Sequence, residues 1–190
     1  LAALLGVDVL WSPATRLPMF DLTEVRVSHP LTGVTSREIE EVVRREIRGK
    51  FLTVDLAAAA AAFQKLTWVR RADVRRQWPA RLEGAIEEHV ALARWGEGAL
   101  VNTYGEKFTG KTVEVLPVFI GPAGSEAEVT RRYLRMSRAV APLGTEPERV
   151  VLTPRYAWQL RLKNGLHLML GRDADLAEAR LARFVAVHEQ

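Results

Sequence analysis

Hydrophobic and polar residues alternate along two successive stretches between Leu66 and Trp95. In the first stretch one parity carries Trp68, Ala72, Val74 and Trp78, and the other carries Val69, Arg71, Asp73, Arg75 and Gln77. In the second stretch Leu82, Ile86, Val90 and Leu92 share one parity, against Arg81, Glu83, Glu87 and His89 on the other. Because successive strand side chains point to opposite faces, each stretch is predicted to be a strand with one buried face. Pro79, which cannot donate to a strand ladder, lies between them and predicts a hairpin turn at residues 77–80.

The charges of the two predicted strands are complementary. The first carries arginines and the second carries glutamates: Arg70, Arg71, Arg75 and Arg76 against Glu83, Glu87 and Glu88. Opposite charges on neighbouring strands contribute about 0.2–1 kcal/mol per pair and help to set the register.

The residues before this hairpin predict one strand and two helices. The strand is the segment DLTEVRV at 21–27. A capping box, Thr35-x-x-Glu38, opens a helix predicted to run through Arg48, with Gly49 suited to its C-terminal end. Asp55 is predicted to cap a second helix, Leu56–Leu66. The order strand–helix–helix–strand–strand predicts a small α+β unit with its helices on one face of the sheet.

After Ala91 the sequence changes to short strand candidates interrupted by Gly and Pro. These candidates are Leu92–Trp95, Ala99–Asn102, Lys107–Phe108, Val113–Leu116, Val118–Ile120, Arg149–Thr153, Trp158–Leu162 and Leu166–Leu170. Asn164-Gly165 is a strong hairpin signal between the last two. A second capping box, Ser125-x-x-Glu128, predicts a helix to about Val140, and Asp173 or Asp175 is predicted to cap a final helix. The second unit is therefore predicted to be a mostly antiparallel β-domain with two helices.

Composition excludes several functional classes. The 190 residues carry 27 Lys+Arg and 23 Asp+Glu, and these charges are interspersed, which argues against a nucleic-acid-binding protein. The absence of cysteine excludes disulfides, Cys-ligated metals and thiol nucleophiles. Leu1–Leu10 is apolar but, with ten residues including Asp8, too short to span a bilayer. It is either the outer end of a membrane anchor with Trp11 at the interface, or a short helix or frayed terminus.

Candidate catalytic motifs are weak. Residues 105–112 match the phosphate-binding pattern G-x-x-x-x-G-K-[ST], but the residues that follow alternate as a strand, whereas that motif requires a helix. The four histidines are scattered without metal-ligand spacing, and no cofactor site is predicted. Arg131, Arg135 and Arg138 share one helix face, which either binds phosphate or acidic lipid or is simply the solvated face of that helix.

Several motifs resemble the FtsQ/DivIB family of bacterial cell-division proteins. The first is Leu66-x-Trp-Val-x-x-Ala-x-Val-x-Arg-x-Trp-Pro79-x-x-Leu82, and Val115-Leu-Pro-Val-Phe-Ile-Gly-Pro-x-Gly-Ser125 is the second. Further matches are Tyr133-x-x-Met136, Trp158-Gln-Leu, Leu170-Gly-Arg172 and Leu181-Ala-Arg-Phe184. The resemblance extends from about Pro18 to Val187 and covers both predicted units.

The resemblance implies an α+β protein with three regions. These are the end of a membrane anchor and linker at 1–19, a POTRA domain at 20–91 and a β-domain at 92–190 that lacks the family's last strands. It implies a non-enzymatic scaffold of the divisome, anchored in the inner membrane with most of the chain in the periplasm at the septum. The implied partners are FtsB and FtsL at the β-domain and other division proteins at the POTRA domain. The alternatives are a POTRA-type module of outer-membrane protein assembly or secretion and, from the enzyme class, a P-loop NTPase.

The resemblance also suggests partner-binding residues. A strand of FtsB is expected to add to an exposed β-domain edge, with Arg155 holding a partner carboxylate; the alternative for Arg155 is a solvated strand-end charge. Tyr156, Trp158 and Arg172 are expected nearby. Phe184 and Val187 either line an apolar groove or pack in the core. In the POTRA domain, Arg71, Val74 and Arg76 are expected on an exposed edge that recruits other division proteins.

Overall fold

Two compact units, divided between His89 and Val90, make up the chain. The computed structural model describes residues 24–27 and 30–188. The predicted anchor and linker at 1–19 and the start of the predicted first strand lie outside these residues.

The first unit has the predicted order of two helices and three strands. Its elements are β1 (Glu24–Val27), α1 (Ser36–Glu46), α2 (Leu56–Gln64), β2 (Val69–Gln77) and β3 (Arg81–Glu88). The sheet order is β1-β3-β2, with β1 parallel and β2 antiparallel to β3. The two helices and the sheet enclose a core that includes Phe63, Leu82 and Ile86, all fully buried.

Both helix starts in the first unit follow the predicted capping chemistry. The Thr35 hydroxyl accepts a hydrogen bond from Glu38 N at 3.3 Å, and the Glu38 carboxylate accepts one from Thr35 N at 2.8 Å. Asp55 accepts a hydrogen bond from Ala58 N at 3.0 Å. These bonds satisfy backbone donors that have no partner within the helix. The helix α1 ends at Glu46, two residues before the predicted end.

The predicted hairpin forms, but at both ends of β2 the residues that are buried differ from those that the alternation predicts. The register shifts between Val69 and Arg71, and the extra residue turns Val69 to the same face as Ala72. Val69 is therefore 4% exposed, although the alternation placed it on the wet face. Trp78, expected on the buried face, lies beyond the end of β2 and is 67% exposed.

The second unit is a seven-stranded sheet with two long helices. Its elements are β4 (Ala91–Trp95), β5 (Ala99–Asn102), β6 (Lys107–Phe108), β7 (Val118–Ile120), α3 (Glu126–Val140), a short 3₁₀ helix (Ala141–Leu143), β8 (Pro147–Leu152), β9 (Trp158–Leu162), β10 (His167–Gly171) and α4 (Ala174–His188). The strand order is β10-β9-β8-β7-β4-β5-β6. The β4–β7 and β7–β8 pairings are parallel and the other four are antiparallel, so the predicted mostly antiparallel domain is confirmed.

Two predicted features of the second unit are wrong. Residues 113–116 form no strand, and Val113 and Val115 are fully exposed, because this stretch crosses between strands instead of joining the sheet. Ser125 precedes α3 but does not cap it with its side chain, since its hydroxyl donates to Pro122 O at 2.6 Å. Glu128 binds arginines instead of closing a capping box.

The two helices of the second unit bury one face each. The face of α3 predicted to point inward does so, with Val129, Met136 and Val140 buried and Tyr133 half-buried against Phe119. The Asp173 carboxylate caps α4 by accepting a hydrogen bond from Leu176 N at 3.0 Å. Among residues 24–27 and 30–188, no helix combines the length and apolar character needed to cross a membrane.

Candidate interaction sites

A tight turn between β8 and β9 presents Arg155 and Tyr156 to solvent. Tyr156 N donates to Thr153 O at 2.8 Å, and Ala157 N donates to the Thr153 hydroxyl at 3.0 Å. Tyr156 has a φ of 57°, a left-handed conformation that costs a non-glycine residue about 1–2 kcal/mol. The turn bonds hold it there with its side chain 64% exposed. Arg155 is exposed beside it.

A cavity of about 350 Å³ lies next to this turn and collects three of the predicted site residues. Tyr156, Trp158 and Arg172 line it together with the turn at residues 122–125 that precedes α3. Trp158 is 3% exposed and begins β9, where it pairs with Gly171 of β10. This pairing carries Arg172 to the same end of the sheet.

The charges around this cavity favour an acidic ligand. In the described part of the chain, neither Arg155 nor Arg172 forms a salt bridge, and both are exposed. The Glu128 carboxylate, which also lines the cavity, is already bound by Arg132 and Arg131. These hydrogen bonds, with that from Arg132 the strongest, lower the pKa of Glu128 below its ordinary value. The site therefore combines aromatic walls with available guanidinium groups.

The strand β10 is one edge of the seven-stranded sheet. It pairs with β9 on one side, and within the described residues no strand pairs with its other side. Met169 on this strand is 69% exposed. The ladder is irregular between Met169 and Gly171, and Arg180 of α4 donates to the Leu170 carbonyl at 2.6 Å. The edge is thus open along its length and held at its end by α4.

Phe184 and Val187, both on α4, have different surroundings. Phe184 is half-buried against the core, and its ring stacks on His188 with 4.9 Å between centroids. Val187 is 70% exposed. Neither residue lines the cavity that contains Trp158.

The three residues predicted on the edge of the first sheet do not share one environment. The strand β2 is an edge strand, and Arg71 on it is exposed. Val74 is 5% exposed, so its expected exposure is wrong, because its side chain faces the helices. Arg76 donates to Phe51 O at 2.8 Å and to Val54 O at 2.7 Å, which ties β2 to the loop between the helices.

Glu88 has a role that the sequence did not reveal. Predicted as a partner of the strand arginines, its carboxylate instead accepts hydrogen bonds from Thr32 N, Gly33 N and Val34 N at 2.7–2.8 Å. Partial burial opposes ionisation, but these bonds outweigh it and lower the pKa of Glu88. No local sequence signal marks this contact, because it joins segments about 55 positions apart. Two of the four strand arginines do pair with glutamates of β3, Arg70 with Glu87 and Arg75 with Glu83.

Arg132 joins the two helices of the second unit, also without a signal in the sequence. It donates to Glu128 at 2.9 Å on its own helix and to Glu178 of α4, and its side chain is 13% exposed. In the arginine stripe, Arg131 pairs with Glu128 and Arg135 with Glu178 at 3.3 Å. Two of the three stripe arginines therefore bind acidic side chains of the protein itself.

The phosphate-binding pattern at residues 105–112 begins in the turn between β5 and β6 and continues through β6 into a loop. The Asn102 side chain accepts hydrogen bonds from Tyr104 N and Glu106 N at 2.9 Å each, which closes the turn between β5 and β6. Gly105 has a φ of 80°, and a Cβ there would lie 2.5 Å from Ala127 Cα. This glycine serves close packing on α3, and residues 109–117 form a loop where a nucleotide cradle needs a helix. Across the described ranges, no group of three or more His, Asp or Glu side chains has a metal-binding arrangement.

A βααββ unit with an edge strand, followed by a mixed sheet with an open edge, defines a POTRA-type protein with a β-rich second domain. Comparison with known families gives the same class. Residues 20–89 match the model of the FtsQ-type POTRA domain, and residues 93–190 match the C-terminal model of the cell division protein FtsQ/DivIB.

Individual relatives agree with these matches. The chain is 42% identical to the cell division protein FtsQ of Nitrosospira multiformis, with 100% of this chain and 81% of the relative covered. It is 40% identical to FtsQ of Burkholderia pseudomallei, covering 89% of this chain and 70% of the relative. It is 41% identical to FtsQ of Bordetella pertussis, covering 97% of this chain and 75% of the relative. The chain belongs to the FtsQ/DivIB family of cell-division proteins.

Proposed function

We propose that this chain is a non-enzymatic scaffold of the bacterial divisome. It binds FtsB and FtsL through its second unit and other division proteins through its first. It acts on the periplasmic side of the inner membrane at the septum, attached by a single membrane anchor. Family membership supports the role in division, and the apolar sequence at Leu1–Leu10 supports the attachment.

The open edge of β10 is the observation that carries the proposed partner binding. An edge strand presents unpaired N–H and C=O groups that another chain can join by strand addition. Met169 contributes an exposed apolar side chain on this strand. A segment of FtsB that pairs with β10 gains main-chain hydrogen bonds together with this apolar contact.

The cavity at the end of the sheet supplies specificity to the same interface. Trp158 pairs with Gly171 at the end of β10, so a strand added to this edge passes Arg172. Arg155 lies in the turn that connects β8 to β9, and β9 is the strand directly beside β10. We assign to Arg155 the binding of a partner carboxylate, and to Tyr156 and Trp158 the apolar wall beside it. Phe184 and Val187 of α4 extend the partner surface, with Val187 as its exposed member.

The first unit offers a second surface at the edge of β2. Arg71, together with Asp73 and Glu87, lines a shallow cavity of about 270 Å³ on the charged face of the sheet. We assign recruitment of further division proteins to this edge, with Arg71 as the exposed contact. Val74 supports this edge from the core. Arg76 supports it by its hydrogen bond to the loop between α1 and α2.

Hydrogen exchange tests the assignment of the β10 edge. The chain is mixed with the extracytoplasmic parts of FtsB and FtsL, and exchange is compared with that of the free chain. We expect slower exchange at residues 167–171 and unchanged exchange at β6, which is the opposite edge of the same sheet. Absence of complex formation, by this chain and by a version extended past Gln190, rejects the proposed function. A complex without protection of β10 rejects the assigned edge.

A further inference from the structure

The turn of the β2–β3 hairpin forms an exposed apolar surface together with the loop between α1 and α2. Trp78 is 67% exposed and Leu52 is 44% exposed, and Pro79 beside Trp78 is also exposed. We call these three residues the hairpin tip. Phe51 is buried and meets the Trp78 ring edge-on, with 6.1 Å between centroids, so that loop and turn form one surface. Contiguous exposed apolar patches that polar residues surround mark sites of interaction with proteins or membranes.

The surroundings of the hairpin tip are basic. Arg48 is exposed in the loop that carries Leu52, and within the described residues no carboxylate pairs with it. Arg76 binds the loop through backbone carbonyls, which are neutral, so its positive charge is not compensated. Three acidic side chains of the adjoining segments are already engaged: Glu46 pairs with Lys65, Glu83 pairs with Arg75, and Asp55 caps α2.

The N-terminal segment enters the first unit at the same end of the sheet. The strand β1 runs parallel to β3, with Glu24 opposite Arg81, so the chain reaches the sheet beside the hairpin turn. In the sequence, Glu24 follows Trp11 and the apolar run Leu1–Leu10. The 13 residues from Trp11 to Glu24 span at most ~45 Å when fully extended. An anchor at Leu1–Leu10 therefore limits how far this end of the sheet can lie from the bilayer. The tether raises the effective concentration of the hairpin tip at the membrane surface.

We propose that the hairpin tip docks on the anionic surface of the membrane that anchors the chain. This inference depends on the membrane attachment in the proposed function. Trp78 enters the headgroup region, where the amphipathic indole ring is preferred, and Arg48 and Arg76 face lipid phosphates. Docking fixes the orientation of the first sheet, so that the β2 edge is presented along the membrane surface in a constant direction.

Vesicle co-sedimentation of the whole chain tests this docking. We expect binding to vesicles that contain phosphatidylglycerol, and weaker binding to pure phosphatidylcholine vesicles or at high salt. Arg48→Glu should weaken the partition by roughly tenfold, since it replaces an attracted charge with a repelled one near the lipid surface. Trp78→Ala should weaken it several-fold. Because Leu1–Leu10 is present in every variant, its own affinity for lipid cancels in these comparisons.

The second unit supplies matched controls. Arg138 is an exposed arginine without a salt bridge among the described residues, and Tyr104 is an aromatic residue that is 60% exposed. Arg138→Glu and Tyr104→Ala should leave vesicle binding unchanged. Equal partition of Arg48→Glu and Arg138→Glu overturns the proposal. Binding of FtsB and FtsL is measured on the same variants and should not change, so failure of docking and failure of the scaffold role are separate results.

Discussion

The backbone N–H of Val34 donates to the Glu88 carboxylate at 2.7 Å, across 54 positions of the sequence. The same carboxylate accepts hydrogen bonds from Thr32 and Gly33, so one side chain at the end of β3 closes the segment that leads into α1. Hydrogen bonds to a charged acceptor are stronger than neutral ones, and three backbone N–H groups and the Thr32 hydroxyl donate to this one.

Glu88→Gln should lower the free energy of unfolding by about 1–3 kcal/mol at pH 7, because the amide cannot accept all of these bonds. The folded protein holds the pKa of Glu88 below its ordinary value of 4.5. The stabilisation is therefore complete above that value and is lost as the pH falls through the folded pKa. Urea unfolding at decreasing pH should show that the difference in stability between wild type and variant shrinks as the pH falls below the ordinary pKa of Glu88.

Glu87→Gln is the matched control for this experiment. Glu87 is the neighbouring residue, its side chain is 44% exposed, and it pairs with Arg70 at 2.8 Å. An ion pair of this exposure contributes about 0.2–1 kcal/mol. Equal destabilisation by the two variants would contradict the role assigned to Glu88.

Arg155→Glu should weaken the complex with FtsB and FtsL several-fold, because the proposed carboxylate contact becomes a repulsion. The turn that carries Arg155 is held by Thr153 and its backbone, so the substitution should not alter the fold. Affinity is measured by isothermal titration calorimetry. Arg138→Glu makes the same charge change at an exposed position of α3 and should bind as wild type. Unchanged affinity of Arg155→Glu would discard this assignment.

Gly171→Ala should destabilise the end of β10 more than Gly165→Ala. Both glycines have a φ near +88°, so both alanine variants carry the same backbone strain of about 1–2 kcal/mol. A Cβ at Gly171 would also lie 2.3 Å from Arg180 Nη1, whereas a Cβ at Gly165 meets nothing within 4 Å. Arg180 must then release the Leu170 carbonyl, at a further cost of about 1 kcal/mol.

Comparison of the two alanine variants by urea unfolding isolates the Arg180 contact. Gly171→Ala should also reduce binding of FtsB and FtsL, since the proposed docking edge ends at this residue. Equal stability and equal binding for the two variants would show that Arg180 does not hold the edge.

The sequence determined those features of the fold that depend on neighbouring residues. Alternation predicted the β2–β3 hairpin, Thr35 and Asp55 predicted the helix starts, and Asn164-Gly165 predicted the β9–β10 turn. Each depends on periodicity or on a side chain that bonds to backbone within about three residues, so the information is local. The family resemblance likewise marked Tyr156, Trp158 and Arg172 as candidate site residues, and all three line one cavity.

Only the tertiary structure decided which of these residues are buried and which contacts they make. A bulge in β2 buried Val69, and the end of the strand left Trp78 exposed, although both fitted the opposite assignment. Val113 and Val115 alternate like a strand but stay in water, because no neighbouring strand accepts them. The Glu88 contact likewise joins residues that are distant in sequence. Burial, strand pairing and such long-range hydrogen bonds depend on how distant segments pack, and no local pattern encodes that information.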